Sequence, residues 1–144
     1  MSRPHWDSTA VFIAWDDSNG WYDHVIGPIM NQSTSTADAL TGAGACGNGA
    51  DSLDGLQARC GYGPRLPLVV VTPYARENSV DSSVVIDQSS ITRFIEDNWN
   101  LGQIGNVSFD MIAGDASSLF NFKHKRQDRV FLDPSTGVVT SITH

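Results

Sequence analysis

The apolar positions of the chain fall into two short runs, one helical period and a long stretch with no period. Residues 9–15 are almost continuously apolar, with β-branched and aromatic side chains throughout. That pattern predicts a central strand buried on both faces, as in a parallel sheet. Asp16-Asp17-Ser18-Asn19-Gly20 follows and ends the strand with turn residues. A second run covers residues 66–72. Pro67 stands near its first position, where a missing N–H costs least, and Pro73 closes it. Residues 84–86 predict a further short extended piece.

The helical period lies at residues 89–99. Ile91, Phe94 and Ile95 recur at i, i+3 and i+4, with Trp99 near the same face. Asp87, Ser89 or Ser90 supplies the cap, and Gly102 marks the stop. Weaker helices or turns are predicted at 109–113 and 117–120. Residues 133–137 (Asp-Pro-Ser-Thr-Gly) read as a turn, and 138–142 as a short edge strand. The run Lys123-His124-Lys125-Arg126 reads as a solvated face. Strand, excursion, strand and helix in this order predict one α/β unit over residues 1–144, a sheet packed by helices.

The excursion itself, roughly residues 25–65, is rich in Gly, Ser, Thr and Asn. Unstructured connections of this length inside a compact domain are usually functional or stapled. Cys46 and Cys60 lie within it, without the close CxxC pairs that a thiolate metal site favours. A disulfide between them fits, and would contribute roughly 3 kcal/mol in the chain-entropy model; it implies an oxidising compartment. Two free, buried thiols are the alternative.

Charge narrows the function classes. The 144 residues carry a net charge of −7. A surface of that sign is unsuited to non-specific nucleic-acid binding, which needs cations for the phosphates. It remains suited to metal cations, and a phosphate ester can be held where the metal supplies the positive charge. No apolar stretch reaches the ~18 residues of a membrane span, and the first residues contain no apolar signal-peptide core. The first strand begins within about ten residues of Met1, an abrupt start expected of a piece of a longer protein.

The carboxylate pair is the strongest chemical feature. In open α/β folds, ligands gather beyond the carboxyl ends of strands, where Asp16 and Asp17 lie. Adjacent carboxylates repel each other unless something positive sits between them, and hard oxygen donors suit Mg²⁺, Ca²⁺ or Mn²⁺. The alternative is that one Asp caps a turn and the other faces solvent. The segment is not an EF-hand loop, because placing Gly20 at the sixth position puts Trp15 at the first. In Asp23-His24, the carboxylate is placed to orient the imidazole as ligand or acid/base. Trp15, Trp21 and Tyr22 read as core or pocket wall. The GxSxG, HExxH, GxxxxGK[ST] and GxGxxG patterns are absent.

Taken together, four blocks resemble a known family. Thr9-Ala-Val-Phe-Ile-Ala-Trp-Asp-Asp-Ser-Asn-Gly-Trp-Tyr-Asp-His-Val25 is similar to the metal-binding strand of the bacterial phosphoesterases that include non-haemolytic-type phospholipases C and related acid phosphatases. Cys60-Gly-Tyr-Gly-Pro-Arg-Leu-Pro-Leu68 with Thr72-Pro-Tyr-Ala75 resembles the next block. Asp87-Gln-Ser-Ser-Ile-Thr-Arg-Phe-Ile-Glu-Asp-Asn-Trp99 resembles the helix after it, and Phe131-Leu-Asp-Pro134 the ending of several members.

The resemblance implies a partial alkaline-phosphatase-like sheet with flanking helices and a long disulfide-stapled loop. It implies metal-dependent hydrolysis of phosphate esters with one divalent ion. Asp16 and Asp17 match the acidic metal ligands, while His24 and Asp23 match the trailing motif. The family's Ser or Thr nucleophile and its other ligands match nothing here. The chain therefore resembles a C-terminal fragment that supplies half the site of a secreted or periplasmic parent acting on a phosphate ester or phospholipid. A truncated, inactive fragment binding metal or a partner is the alternative. At the position where many members carry a His, this chain has Ser82. A sheet reduced in this way exposes apolar surface, so self-association is expected.

Overall fold

A computed structural model describes residues 5–20, 23–25, 27–29 and 61–143. The proposed Cys46–Cys60 bridge, Trp21 and Tyr22 lie outside these residues. A 3₁₀ turn at Trp6–Ser8 leads into strand β1, Val11–Ala14, and β2 is Leu68–Val71. Helix α1 spans Ser89–Trp99. Two further 3₁₀ turns, Phe109–Met111 and Ala116–Leu119, precede strands β3, Arg129–Leu132, and β4, Val139–Thr143. The result is a small mixed α/β structure whose described strands form two antiparallel pairs. No helix among the described residues is long and apolar enough to cross a membrane.

The pairing corrects the expectation of a parallel sheet buried on both faces. β1 runs antiparallel to β2, with Val11 opposite Val71 and Ala14 opposite Leu68. Side chains alternate between the two faces of this ribbon. Phe12 and Val70 face inward and are half-buried. Val11, Ile13, Val69 and Val71 share the other face and stay 41–47 % exposed. An uninterrupted apolar run therefore marks a strand with two apolar faces, of which the described residues cover one.

The covered face meets an aromatic cluster. The Phe12 ring lies 5.3 Å from Phe94 of α1 and 6.0 Å from Phe120, measured between centroids. Phe94 and Phe120 stack at 4.8 Å, and Phe120 stacks on Phe122 at 5.2 Å. Phe120 is 3 % exposed, and Ala113 and Ala116 are buried beside the same helix. Backbone bonds hold Phe120 in place: Arg76 N–H donates to Leu119 O, and Asn121 N–H to Tyr74 O. The basic run is not merely solvated. Arg126 N–H donates to Pro73 O, and its guanidinium pairs with Glu77 and Asp128.

The helix has the predicted bounds, but its capping differs in detail. Asp87 Oδ1 accepts from Ser90 N–H, while Ser90 Oγ accepts from Asp87 N–H, each at 3.1 Å. This reciprocal pair satisfies two donors at the helix start. The helix stops at Asn100, which takes the left-handed conformation (φ 52°) two residues ahead of Gly102. On the expected apolar face, Ile95 and Trp99 are exposed. Residues 84–86 form no strand. They run past Gly114, where an added Cβ would lie 2.0 Å from Val85 O, so only glycine permits this approach. The extended segment at 129–132 was not foreseen; it pairs with β4 around the Asp133 turn, whose carboxylate accepts from Ser135 and Thr136 N–H.

The buried face of α1 also holds a carboxyl pair. Glu96 is 7 % exposed and Asp110 2 %. Both reach the same donor, Ile104 N–H, at 3.1 Å and 3.2 Å. Among the described residues, no hydrogen-bond partner reaches the buried Glu96 Oε2, Asp110 Oδ1 or Ser108 Oγ. Burial pushes the Glu96 carboxyl up, and the neighbouring Asp110 carboxyl pushes further, against the Ile104 N–H. Asp97 adds to the same direction.

Two outcomes follow. Phe120→Ala empties the centre of the ring cluster and should destabilise by about 3–5 kcal/mol in urea unfolding. The folded state holds the Glu96 proton more tightly than the unfolded chain. This contribution to stability is complete below the unfolded value near 4.5 and lost as pH rises through the raised folded value. Glu96→Gln should remove that decline and raise the thermal midpoint at neutral pH; a midpoint profile parallel to wild type from pH 4 to 8 would contradict it.

Candidate active site

β1 delivers the carboxylate pair. After Ala14 the chain turns through Asp16 and Asp17, with Asn19 (φ 48°) and Gly20 (φ 82°) both left-handed. Asp17 Oδ1 accepts the Asn19 N–H, so Asp17 caps its own turn. That engages one oxygen of Asp17. No hydrogen bond among the described residues engages the Asp16 carboxylate. Both residues are exposed.

Because β1 and β2 are antiparallel, the end of β1 lies beside the segment that leads into β2. A hollow of about 550 Å³ opens there, walled by Trp15, Asp17, Asp23, Arg65 and Pro67 among others. Asp16 and His24 are not among its walls. The exposed Trp15 accordingly serves as pocket wall and not core.

Asp23 is placed differently from the sequence expectation that it orients His24. Arg65 Nε donates to Asp23 Oδ2 at 2.5 Å and Nη2 to Oδ1 at 2.8 Å. Arg65 N–H adds a bond to Oδ2 at 3.2 Å, and Val25 N–H one to Oδ1 at 3.1 Å. The Arg65 guanidinium, with these N–H groups, holds the Asp23 carboxyl well below the usual carboxylate range. Four donors converge on this carboxylate, and no described bond links it to His24, which is exposed. Sequence reading missed Arg65. Its signal was a lone cation in the Gly- and Pro-rich stretch before β2.

The donor chemistry fits a hard divalent cation in part. The Asp16 oxygens and the second oxygen of Asp17 are unclaimed by hydrogen bonds among the described residues. Such a cation takes six or more oxygens. Among the described residues no group of three or more His, Cys, Asp or Glu side chains is placed to hold a metal ion. The pair fits half of a cage.

The chain belongs to the Phosphoesterase family, whose pattern matches residues 1–102. That span contains the Asp16–Asp17 turn, the Asp23–Arg65 pair and α1. Among curated relatives, the chain is 32 % identical over 123 residues to a non-hemolytic phospholipase C of Burkholderia pseudomallei, covering 81 % of this chain and 17 % of that protein. It is 29 % identical to a non-hemolytic phospholipase C of Pseudomonas aeruginosa (85 % and 18 % covered) and 28 % identical to phospholipase C A of Mycobacterium tuberculosis (85 % and 23 %). The chain thus spans about a fifth of the length of these relatives.

Proposed function

We propose that this chain supplies the acidic metal-ligand half of a phosphate-ester hydrolase site of the phospholipase C or acid phosphatase type. The observation that carries this reading is the Asp16–Asp17 pair just beyond the end of β1, with Asp17 in the wall of the 550 Å³ hollow, inside the span that matches the family. The names of the relatives favour a phospholipid or other phosphate ester as substrate. An alkaline-phosphatase-like sheet in the complete enzyme is part of the same reading.

A single divalent ion, Ca²⁺, Mg²⁺ or Mn²⁺, would be held by the free oxygens of Asp16 and Asp17, and when bound it supplies the positive charge that polarises a phosphoryl oxygen. Asp17 stays fixed by its own turn, and Trp15 with Pro67 walls off the approach. The acid/base role of His24, which is exposed and outside the walls of the hollow, rests in this reading on the family motif alone. The nucleophile and remaining ligands are assigned to the part of the relatives' length that this chain does not span. A secreted or periplasmic parent with a Cys46–Cys60 disulfide completes the reading.

A second reading, a fragment inactive by itself, is favoured by the two-ligand donor set. Both readings agree on the isolated chain: it should bind Mn²⁺ or Ca²⁺ weakly in titration calorimetry, and Asp16→Asn should abolish the heat. Unchanged affinity in that variant would sink the ligand assignment. Turnover of p-nitrophenyl phosphate or p-nitrophenyl phosphocholine by the 144-residue chain should be at background. Robust turnover that Asp16→Ala removes would overturn the half-site.

The open face of Val11, Ile13, Val69 and Val71 favours self-association. Light scattering at tens of micromolar should show oligomers, and Ile13→Thr with Val69→Thr should reduce them. A monodisperse wild-type monomer would rule this out.

A further inference from the structure

Two contacts from distant residues hold the neighbourhood of the Asp16–Asp17 turn, one on its backbone and one on Asp23 further along the chain. On the helix side, Gln88 precedes the first turn of α1, and its Nε2 donates to Trp15 O at 3.0 Å and to Asp16 O at 2.6 Å. On the strand side, the Arg65 fork and its own N–H close on Asp23, seven positions beyond Asp16. The two partners of that pair are 42 positions apart in sequence. β1 fixes the residues before the turn, Gln88 fixes the backbone at 15–16, and Arg65 fixes Asp23.

An ordinary surface ion pair would not have this form. Exposed pairs are single contacts between mobile side chains and contribute little. Here one carboxylate, 13 % exposed, accepts four bonds, two of them from backbone N–H groups. The planar fork sets direction as well as distance. Arg65 also walls the hollow beside Asp17. Gln88 spans both carbonyls at the bend with one amide nitrogen, which fixes the point where the strand gives way to the carboxylates.

We propose that Arg65, acting through Asp23, and Gln88 are positioning residues that set the geometry of the Asp16 and Asp17 carboxylates. Neither touches the carboxylates directly. For metal binding, this role rests on the reading of Asp16 and Asp17 as ligands; for the shape of the turn it stands apart from that reading. Groups that orient metal ligands from behind typically change affinity by 10–100-fold when removed.

The full 144-residue chain, with Mn²⁺ as probe, separates the two. Arg65→Met and Gln88→Ala should each shift the backbone amide resonances of residues 16–19 and speed their exchange, leaving the β3–β4 amides as in wild type. Both should weaken Mn²⁺, followed by its electron paramagnetic resonance, by roughly 10–100-fold at a nearly unchanged unfolding midpoint. Arg65→Lys should fail to restore affinity, because an ammonium cannot form the fork. Should Arg65→Met not fold, Asp23→Asn, which keeps the side-chain volume, takes its place with the same readouts. Wild-type amide shifts and exchange at 16–19 in the Arg65 or Asp23 variant would overturn the positioning role, as would wild-type Mn²⁺ affinity. If the wild-type chain binds no Mn²⁺, the ligand reading fails instead, and the amide measurements alone decide the positioning role.

Discussion

The antiparallel pairing of β1 with β2 is the constraint from which the remaining structure follows. It joins segments separated by more than fifty residues, Ala14 opposite Leu68. Closing so long a loop carries an entropic cost that grows only slowly with length, yet four residue pairs alone would not offset it. The aromatic cluster behind the ribbon does. Phe12 from β1, Phe94 from α1 and Phe120 from the coil after the last 3₁₀ turn meet within 4.8–6.0 Å. Without the pairing, Phe12 loses its place against those rings, and the end of β1 loses its place beside Arg65.

Much of this was legible along the chain, for identifiable reasons. The α1 bounds followed from Ile91 and Phe94 at helical spacing with Asp87 and Ser90 ahead of them, all local features. Both strands around the candidate site were legible as apolar runs. Their direction was not: a continuous apolar run specifies two apolar faces without saying what covers them, and Val11 and Ile13 turned out open. The β3–β4 hairpin was half read, because the Asp133 turn has a clear residue signature while the strand before it lies in a polar tail. Helix periodicity pointed to Ile95 and Trp99 as core positions, whereas the position most enclosed by the fold at that end is Glu96. A buried carboxyl depends on its partner Asp110, fourteen positions away, and no local pattern announces such a pair.

The site shows the same division. Asp16 and Asp17 were legible as a carboxylate pair at a strand end, by residue type and position; their role as ligands is the proposal. Asp23 was found, but its neighbour in sequence, His24, suggested the wrong partner. The partner came instead from the segment leading into β2, 42 positions away, which no local pattern announces. Asp17 caps its own turn through Asn19 with one oxygen, and no hydrogen bond among the described residues engages the other.

The contacts that Gln88 and Arg65 make around the Asp16–Asp17 turn bear on how the energy of the proposed ion capture would be divided. A loop that orders only when its ligand arrives loses backbone freedom at that moment, on the order of 1–2 kcal/mol for each residue fixed. Here the fold itself ties down the backbone at 15–16 through Gln88 and ties down Asp23 through Arg65. A cation taken up there as proposed would meet a segment whose ordering folding has already borne, and would keep more of its gross attraction to the carboxylates.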